Sequence, residues 1–314
     1  MWLYTFKRLG LSVIIVLTAL VALFSVLHLI PGDPVSIALG PRATPELQAI
    51  YAEKMHLNEP IYIQFWIFFS NVFQGDLGVD VFSNVPVATT VFEMLPYTFI
   101  LAIVSLLWSA AIGIPLGCMS ALYQNSWIDK LAGIISVGTI AIPSFLVAVW
   151  VIIIFAINLQ WFPYIGVGEE GNLGDQIMHI ILPAFAVGLG WVGYLARIVR
   201  SSMLEVLGEN YIRSARAFGI PERKVVFTYA LKVAILPTIT LIGIGFASLL
   251  SSAVFAEIVF ARPGIGKLIY DMVMTRNFPV VQGAVFVITV LYVLVTLCSD
   301  LAVAWIDPRV REKL

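Results

Sequence analysis

The chain has 314 residues, of which 60% are hydrophobic and 12% are charged, and its formal net charge is -1. Because soluble domains carry about 25% charged residues, this composition excludes an ordinary water-soluble domain and indicates a polytopic membrane protein. The near-neutral charge and the absence of a basic arm indicate no nucleic-acid partner. Membrane lipid is therefore the first partner that we expect.

The N-terminal apolar run resembles a signal peptide but is longer than one. Residues 9–30 are apolar and follow Lys7 and Arg8. A signal peptide has an apolar region of about 7–15 residues and a small-residue cleavage site, which does not follow here. We therefore predict that residues 1–30 are a cytoplasmic N-terminus and a retained first transmembrane helix.

Residues 31–96 are predicted to form a small external cap after the first span. Residues 44–46 read Thr-Pro-Glu, which is a typical helix start with a capping hydroxyl, a first-turn proline and a carboxylate. A second helix is expected from Pro60. The apolar stretch 61–73 is too short to cross a bilayer, so we interpret it as an interfacial helix. Residues 74–78 are expected to form a turn.

Six apolar stretches are long enough to cross a bilayer as helices, which satisfy their own backbone hydrogen bonds. With the N-terminus in the cytoplasm, most of the 18 Lys and Arg residues lie in cytoplasmic segments, as the positive-inside rule requires. We therefore predict an all-α polytopic membrane protein with both termini cytoplasmic and a five-helix core over residues 97–314. The predicted spans are residues 9–30, 97–122, 131–158, 177–200, 233–256 and 281–304.

The predicted spans contain almost no ionisable residues, and His28, His179 and Asp300 lie near span ends. A proton-coupled pump needs a titrating relay, which these spans do not supply. The three His residues share no ligand-like spacing, so no metal site is predicted. The sequence ARPGIGK at 261–267 lacks the first glycine of a phosphate-binding loop and the hydroxyl residue after its lysine. We therefore predict no catalytic residue and no ATPase activity in this chain.

The cytoplasmic loop between the fourth and fifth spans, residues 201–232, has an ordered pattern of small and charged residues. Gly219 can adopt a positive φ that reverses the chain, and Pro221 with Glu222 suits the start of a second helix. A helix–turn–helix is therefore predicted, and a basic loop that only sets topology is the alternative. The apolar face expected on the second helix consists of Val225, Val226, Tyr229, Ala230 and Val233.

Residues 214–237, SARAFGIPERKVVFTYALKVAILP, resemble the EAA loop of inner-membrane permease subunits of binding-protein-dependent ABC importers. The resemblance is strongest to the dipeptide, oligopeptide and nickel branch, in which the loop reads A-R-A-x-G with a Leu-Pro pair downstream. Here these motifs are residues 215–219 and 236–237. Other motifs of that branch follow in the expected order: LIPGDP at 29–34, GDLG at 75–78, LPYT at 95–98, ILPAF at 181–185, FARPGIGKLIYDMVMTRNFPVVQG at 260–283 and DPRV at 307–310.

Three positions depart from the loop of the family. Arg213 stands where the glutamate that gives the loop its name would fall. Phe218 occupies a position that lysine often fills, and Tyr229 one that histidine often fills. These departures concern the details of the partner contact rather than the family.

The resemblance implies that the loop is a coupling helix that docks in a groove of a cytosolic ATPase. It implies three kinds of partner in the bacterial inner membrane and beside it: a second and different permease, two cytosolic ATPase subunits and an external substrate-binding protein. ATP and Mg²⁺ would be used by the ATPases, and this multi-pass chain would bind no cofactor. The expected coupling residues are Arg213, Ala215, Arg216, Ala217, Phe218, Gly219, Pro221 and Glu222.

The transport pathway is expected to border the third and fifth spans, where proline, glycine and serine loosen helix packing. Ordinary helix packing is the alternative for these residues, which are Pro143, Ser144, Gly243, Gly245 and Ser248. The predicted cargo is a di- or oligopeptide, and nickel chelates or another small solute are the alternative. An ATP-independent channel or secondary carrier and a non-transporting scaffold subunit are hypotheses of other classes.

Overall fold

The computed structural model describes residues 2–29, 35 and 44–306, which are largely helical. Residues 30–34 and 307–310, which carry most of the LIPGDP motif and all of the DPRV motif, lie outside the described residues. The helices, numbered in chain order, are α1 (Trp2–Leu29), α2 (Pro45–Lys54), α3 (Ile61–Phe73), α4 (Val87–Leu122), α5 (Trp127–Ala141), α6 (Ser144–Val151, continued by the π-helix Ile152–Asn158), α7 (Leu173–Leu207), α8 (Asn210–Ala217), α9 (Glu222–Lys224, continued by the π-helix Val225–Ala230 and by Leu231–Ala234), α10 (Leu236–Val259), α11 (Ile265–Met274) and α12 (Phe278–Ile306).

Five of the described helices are long and apolar enough to cross a membrane, and they are α1, α4, α7, α10 and α12. The number rises to six if α5 and α6 together count as one bent span. The predicted all-helical membrane class is therefore confirmed. The helices α4 and α7 have 36 and 35 residues, which exceeds the roughly 20 that a bilayer requires.

The third predicted span is not a continuous helix. The helix α5 ends at Ala141, α6 begins at Ser144, and the two axes differ by 98°. Proline has no N–H to donate and disfavours the helical conformation in the residue before it. Accordingly, Ile142 is extended, with φ -87° and ψ 120°, before Pro143. The predicted span over 131–158 therefore consists of two helices rather than one, a break that mean hydropathy does not register.

The first of two compact units comprises the described residues among 1–99 and 263–297. The helix α2 begins as predicted, because the Thr44 hydroxyl accepts a hydrogen bond from the Leu47 N–H at 3.3 Å and caps it. The short helix α3 buries Phe68 against Phe24 of α1, with ring centroids 5.7 Å apart, whereas Trp66 is exposed. The helix has 13 residues, fewer than the roughly 20 that a membrane span requires.

The second unit comprises the described residues among 100–262 and 298–306, and the helices α5, α6 and α10 all pack on α7. Glycines allow the closest crossings. A Cβ atom at Gly117 of α4 would collide with the backbone oxygen of Ala196, and one at Gly193 would collide with the backbone of Ser136. Small residues at such crossings let helix backbones approach in a membrane, where no hydrophobic force drives them together. The helix α7 is therefore fixed on two sides where it leads into α8.

Candidate functional site

The helix α8 follows α7 after a break of two residues and is amphipathic. Its inward face carries Ile212 and Ala215, which are buried. The other face exposes Arg213, Arg216 and Ala217. Of the small residues predicted to allow a partner to dock, Ala217 is on the surface, whereas Ala215 packs inside the chain. Among the predicted coupling residues of α8, Arg213, Arg216 and Ala217 are therefore available to a partner, whereas Ala215 is not.

The turn after α8 has the hydrogen bonds of a Schellman motif. The N–H of Gly219 donates to the carbonyl oxygen of Arg216 at 3.0 Å, and that of Ile220 donates to Ala215 at 3.2 Å. Gly219 has φ +74°, as the predicted chain reversal requires. Phe218 lies at the tip of this turn and is 85% exposed. A large apolar side chain is thereby presented to the surroundings on a fixed backbone.

A buried apolar cluster supports this turn from within the second unit. It joins the ends of α4 and α7 to α8 and α9, and most of its members are fully buried. Ile212 and Val225 lie outside the predicted spans, and burying such a large aliphatic side chain away from water contributes about 1.5–3 kcal/mol. We infer that the segment 211–232, called here the coupling segment, is held firmly on the end of α7. The cluster consists of Cys118, Ala121, Val199, Met203, Val206, Ile212, Ala215, Val225, Val226, Ala230 and Ala234.

The inward face of α9 differs from the predicted one. Val225, Val226 and Ala230 are buried as expected, but Tyr229 and Val233 are exposed. The reason is the π-helical stretch Val225–Ala230, which has i→i+5 hydrogen bonds in place of i→i+4 bonds and so changes which side chains share a face. The prediction of an apolar face that includes Tyr229 and Val233 was wrong for these two residues.

An ion pair joins α8 to α9. Two nitrogens of the Arg216 guanidinium donate to the two carboxylate oxygens of Glu222, at 3.1 and 2.7 Å. Hydrogen bonding to this guanidinium holds the pKa of Glu222 below its ordinary value. Pro221 precedes Glu222 in an extended conformation and is exposed. Arg213 is exposed too and forms no ion pair within residues 44–306.

The predicted pathway residues fall into two groups. Pro143 and Ser144 lie at the break between α5 and α6, where Pro143 is exposed. On α10, a Cβ atom at Gly243 would collide with Ser299 and one at Gly245 would approach the Trp191 ring to 2.7 Å. Both glycines therefore serve close packing in this chain, whereas Ser248 is exposed.

A polar contact that the sequence did not reveal joins α5 to α7. The Arg200 guanidinium donates to both carboxylate oxygens of Asp129, at 2.6 and 2.8 Å. The Ser120 hydroxyl and the Asn125 N–H donate to the same carboxylate at 2.5 and 2.9 Å. Asp129 precedes the predicted span at 131–158, and Arg200 ends the one at 177–200. The sequence did contain a signal for this contact. Asp129 begins one apolar run, and Arg200 lies at the end of another on the same predicted side of the membrane.

Comparison with known proteins identifies the family. Residues 113–312 match the model of the binding-protein-dependent transport system inner membrane component. The chain belongs to this family. Residues 1–102 match the N-terminal membrane component of the same transport systems. The permease is therefore a multi-pass inner-membrane subunit of an ABC importer and not its ATPase.

Curated relatives match over nearly the whole permease. The glutathione transport system permease protein GsiC of Escherichia coli strain K12 is 35% identical over 312 residues, 99% of each chain. GsiC of Salmonella typhimurium strain LT2 is 34% identical over 310 residues, 99% of each chain. Among solved structures, the inward-facing MetNI methionine ABC transporter has a TM-score of 0.59 at 19% identity, covering 70% of this chain and 97% of that one. That likeness supports the helical fold.

Membership of this family decides between the classes of function left open by the sequence. An importer permease is distinguished from an ATP-independent channel or carrier by its dependence on partner subunits. A binding-protein-dependent importer implies an external binding protein, ATPases and a partner permease. The coupling segment lies within the matched residues 113–312.

Proposed function

We propose that this permease and a second, different permease form the translocation pathway of an importer for di- and oligopeptides. In this proposal the coupling segment docks on one of two cytosolic ATPase subunits, which use ATP and Mg²⁺, while this chain binds no cofactor. The observation that carries the proposal is the exposed Phe218 on a turn whose base is buried. An apolar tip on a firmly held turn suits a partner groove.

The coupling segment can transmit force because of what lies beneath it. Ile212 and Val225 are fully buried against the end of α7, so a displacement of α8 displaces that end as well. The helix α7 continues without interruption for 35 residues and packs on α5, α6 and α10. Closure of the ATPases would thus be conveyed to the helices that border the proposed pathway.

The peptide cargo is proposed from the relatives. Those described above are named for glutathione transport, and glutathione is a tripeptide. Nickel chelates or another small solute remain the alternative. The test is uptake by cells that express the whole importer, with labelled di- and tripeptides, glutathione and nickel compared in one assay. Uptake of nickel without any peptide would contradict the proposed cargo and leave the coupling proposal intact.

Coupling can be tested by disulfide cross-linking to the ATPase. Cys298 is exposed and would first be replaced by serine, while the buried Cys118 is retained. We expect Phe218→Cys to cross-link to a cysteine in the ATPase groove, with a yield that changes on ATP binding. The matched control is Tyr123→Cys, since Tyr123 is 54% exposed in the turn between α4 and α5, outside the coupling segment. Equal cross-linking from both positions would contradict the proposal.

A further inference from the structure

A cavity of about 280 Å³ lies between α5 and α7 and takes no part in the proposed coupling. Ala132, Gly133 and Ala196 line part of it, and no atom lies within 4 Å of the position of a Cβ atom at Gly133. Small side chains therefore leave this space open. The volume lies near the lower end of the range of about 300–1,000 Å³ for ligand sites, so a polar headgroup fits it better than a large solute.

The polar wall of the cavity carries a net positive charge. Asp129 and Arg200 neutralise each other through their paired hydrogen bonds. Arg197 also lines the cavity, is exposed, and forms no ion pair within residues 44–306. The Nη1 of Arg200 likewise has no acceptor among the described residues. Guanidinium groups match the oxygens of a phosphate better than ammonium groups do, so these nitrogens favour a phosphate group.

Apolar residues flank the cavity on the exposed face of α5. Leu131 is 47% exposed, Ile134 is 70% exposed, and Val137, which lines the cavity, is 60% exposed. Trp127, at the start of α5, is 72% exposed, and tryptophan is enriched where a membrane meets water. The positive-inside rule places this end of α5 on the cytoplasmic side. The surface therefore suits a ligand with an anionic head and aliphatic tails.

We propose that this cavity binds the phosphodiester headgroup of an anionic phospholipid from the cytoplasmic leaflet, with Arg197 as the principal contact. Basic pockets between membrane helices on the cytoplasmic side bind such headgroups in other membrane proteins. The Ser136 hydroxyl lies in the wall of the cavity and can donate to the same phosphate. The acyl chains would lie along Leu131, Ile134 and Val137.

The test compares lipid retention by the assembled importer. The complex is equilibrated with equimolar phosphatidylglycerol and phosphatidylcholine, and the lipids retained on intact complexes are counted by native mass spectrometry. We expect a preference for phosphatidylglycerol that Arg197→Gln lowers about tenfold, the effect of one charge-assisted hydrogen bond. Lys130→Gln is the matched control and should retain the preference, since Lys130 is exposed and does not line the cavity.

A second variant and a competition experiment separate the alternatives. Gly133→Leu fills the cavity without removing a charge, so it should reduce phosphatidylglycerol retention as Arg197→Gln does. Unchanged retention in both variants overturns the proposal, because neither the charge nor the open volume of the cavity would then matter for the bound lipid. Binding of inorganic phosphate without any preference for phosphatidylglycerol also overturns it, because the site would then belong to a soluble anion. The same spectra show whether each variant has assembled.

Discussion

Arg216 and Glu222 form a two-contact ion pair that joins the two short helices on either side of Gly219. The Nε donates to Oε2 at 3.1 Å, and the Nη2 donates to Oε1 at 2.7 Å. Such a planar pair fixes the orientation of both side chains. The family resemblance assigned Arg216 to the partner surface, and this structure gives it a contact within the chain as well.

Exchanging the charges of Arg216 and Glu222 shows whether the pair acts by joining α8 to α9 or by contacting a partner subunit. Arg216→Glu or Glu222→Arg alone places like charges side by side, so we expect each to reduce uptake. The double variant Arg216→Glu/Glu222→Arg restores opposite charges and should recover most of the uptake. Because the pair is exposed, its effect on the free energy of unfolding should be below about 1 kcal/mol. The measurement is uptake normalised to the amount of assembled complex. A double variant as defective as the single variants would show that the pair does not act by joining α8 to α9.

Gly219 is expected to be intolerant of a β-branched residue. No atom lies within 4 Å of the position of a Cβ atom there, so the penalty comes from the backbone, which has φ +74°. A non-glycine residue in this conformation costs about 1–2 kcal/mol, and valine is among the least tolerant. Gly219→Val should therefore distort the turn and abolish uptake while the permease still inserts.

The control for Gly219→Val is Gly138→Val. Gly138 also has no atom within 4 Å of a Cβ position, but it lies in α5 and has no positive φ. It should therefore keep normal uptake. Normal uptake by a fully assembled Gly219→Val complex would contradict the role of the turn.

Local rules explain which parts of the structure could be predicted from the sequence. The cap at Thr44 and the reversal at Gly219 depend on residues within one turn of each other, so their sequence signals are sufficient. The span lengths follow from hydropathy and bilayer thickness in the same way. The break at Pro143 was equally local, but its residue was assigned to the pathway and not to the helix end.

Features that depend on tertiary contacts were not predictable. The inward position of Ala215 depends on how α8 lies against α7, which no local pattern of small residues specifies. The Asp129 and Arg200 pair joins residues 71 positions apart. In the π-helical stretch Val225–Ala230, i→i+5 hydrogen bonds replace i→i+4 hydrogen bonds of similar local geometry. Packing against the buried apolar cluster selects between the two patterns.

Breaking the pair between Asp129 and Arg200 should destabilise the permease. The Asp129 side chain is only 8% exposed, so its removal leaves a charged arginine against a largely buried site. Arg200 is 33% exposed and can reach solvent in part, so we expect Asp129→Asn to cost up to about 3 kcal/mol, the lower end for buried pairs. The thermal midpoint of the purified complex measures this loss.

A double-variant cycle tests whether the effect belongs to the pair. Asp129→Asn/Arg200→Gln should be less destabilising than the sum of the single variants, since it leaves no uncompensated charge. Lys130→Gln, beside Asp129 in the sequence, should leave the midpoint unchanged. Strict additivity would show that the two residues act separately.

Asp80 should stabilise the external part of the first unit down to mildly acidic pH. Burial raises the pKa of Asp80, but hydrogen bonds from the N–H groups of Ser83 and Phe82 and from the Asn277 amide lower it by more, so that it lies below its ordinary value. A carboxyl group whose pKa is lowered on folding stabilises the folded state fully at pH values above its pKa in the unfolded chain. This contribution is lost as the pH falls through its pKa in the folded chain. The contact should thus be intact at pH 7 and at about pH 5.

Proteolysis from the external side measures this contribution. Cells with permeabilised outer membranes should show the same slow cleavage of the wild-type external segment at both pH values. Asp80→Ala should be cleaved faster at both, because Asn277 loses its acceptor. Glu59→Gln is the control, since Glu59 is exposed on the same segment. Faster wild-type cleavage at the lower pH would contradict the assigned pKa direction.

Ser248 is the residue of α10 whose place in the pathway can be tested most directly. It is exposed in this chain, whereas its neighbour Ala247 is fully buried. If the exposed face of Ser248 borders an aqueous pathway between two permeases, Ser248→Cys should react with a water-soluble thiol reagent at a rate that changes on ATP binding. Ala247→Cys should remain unreactive, and the reagent should be applied in a Cys298→Ser background. A Ser248→Cys that reacts only with a lipid-soluble reagent faces the bilayer, and the pathway prediction for this residue would then be wrong.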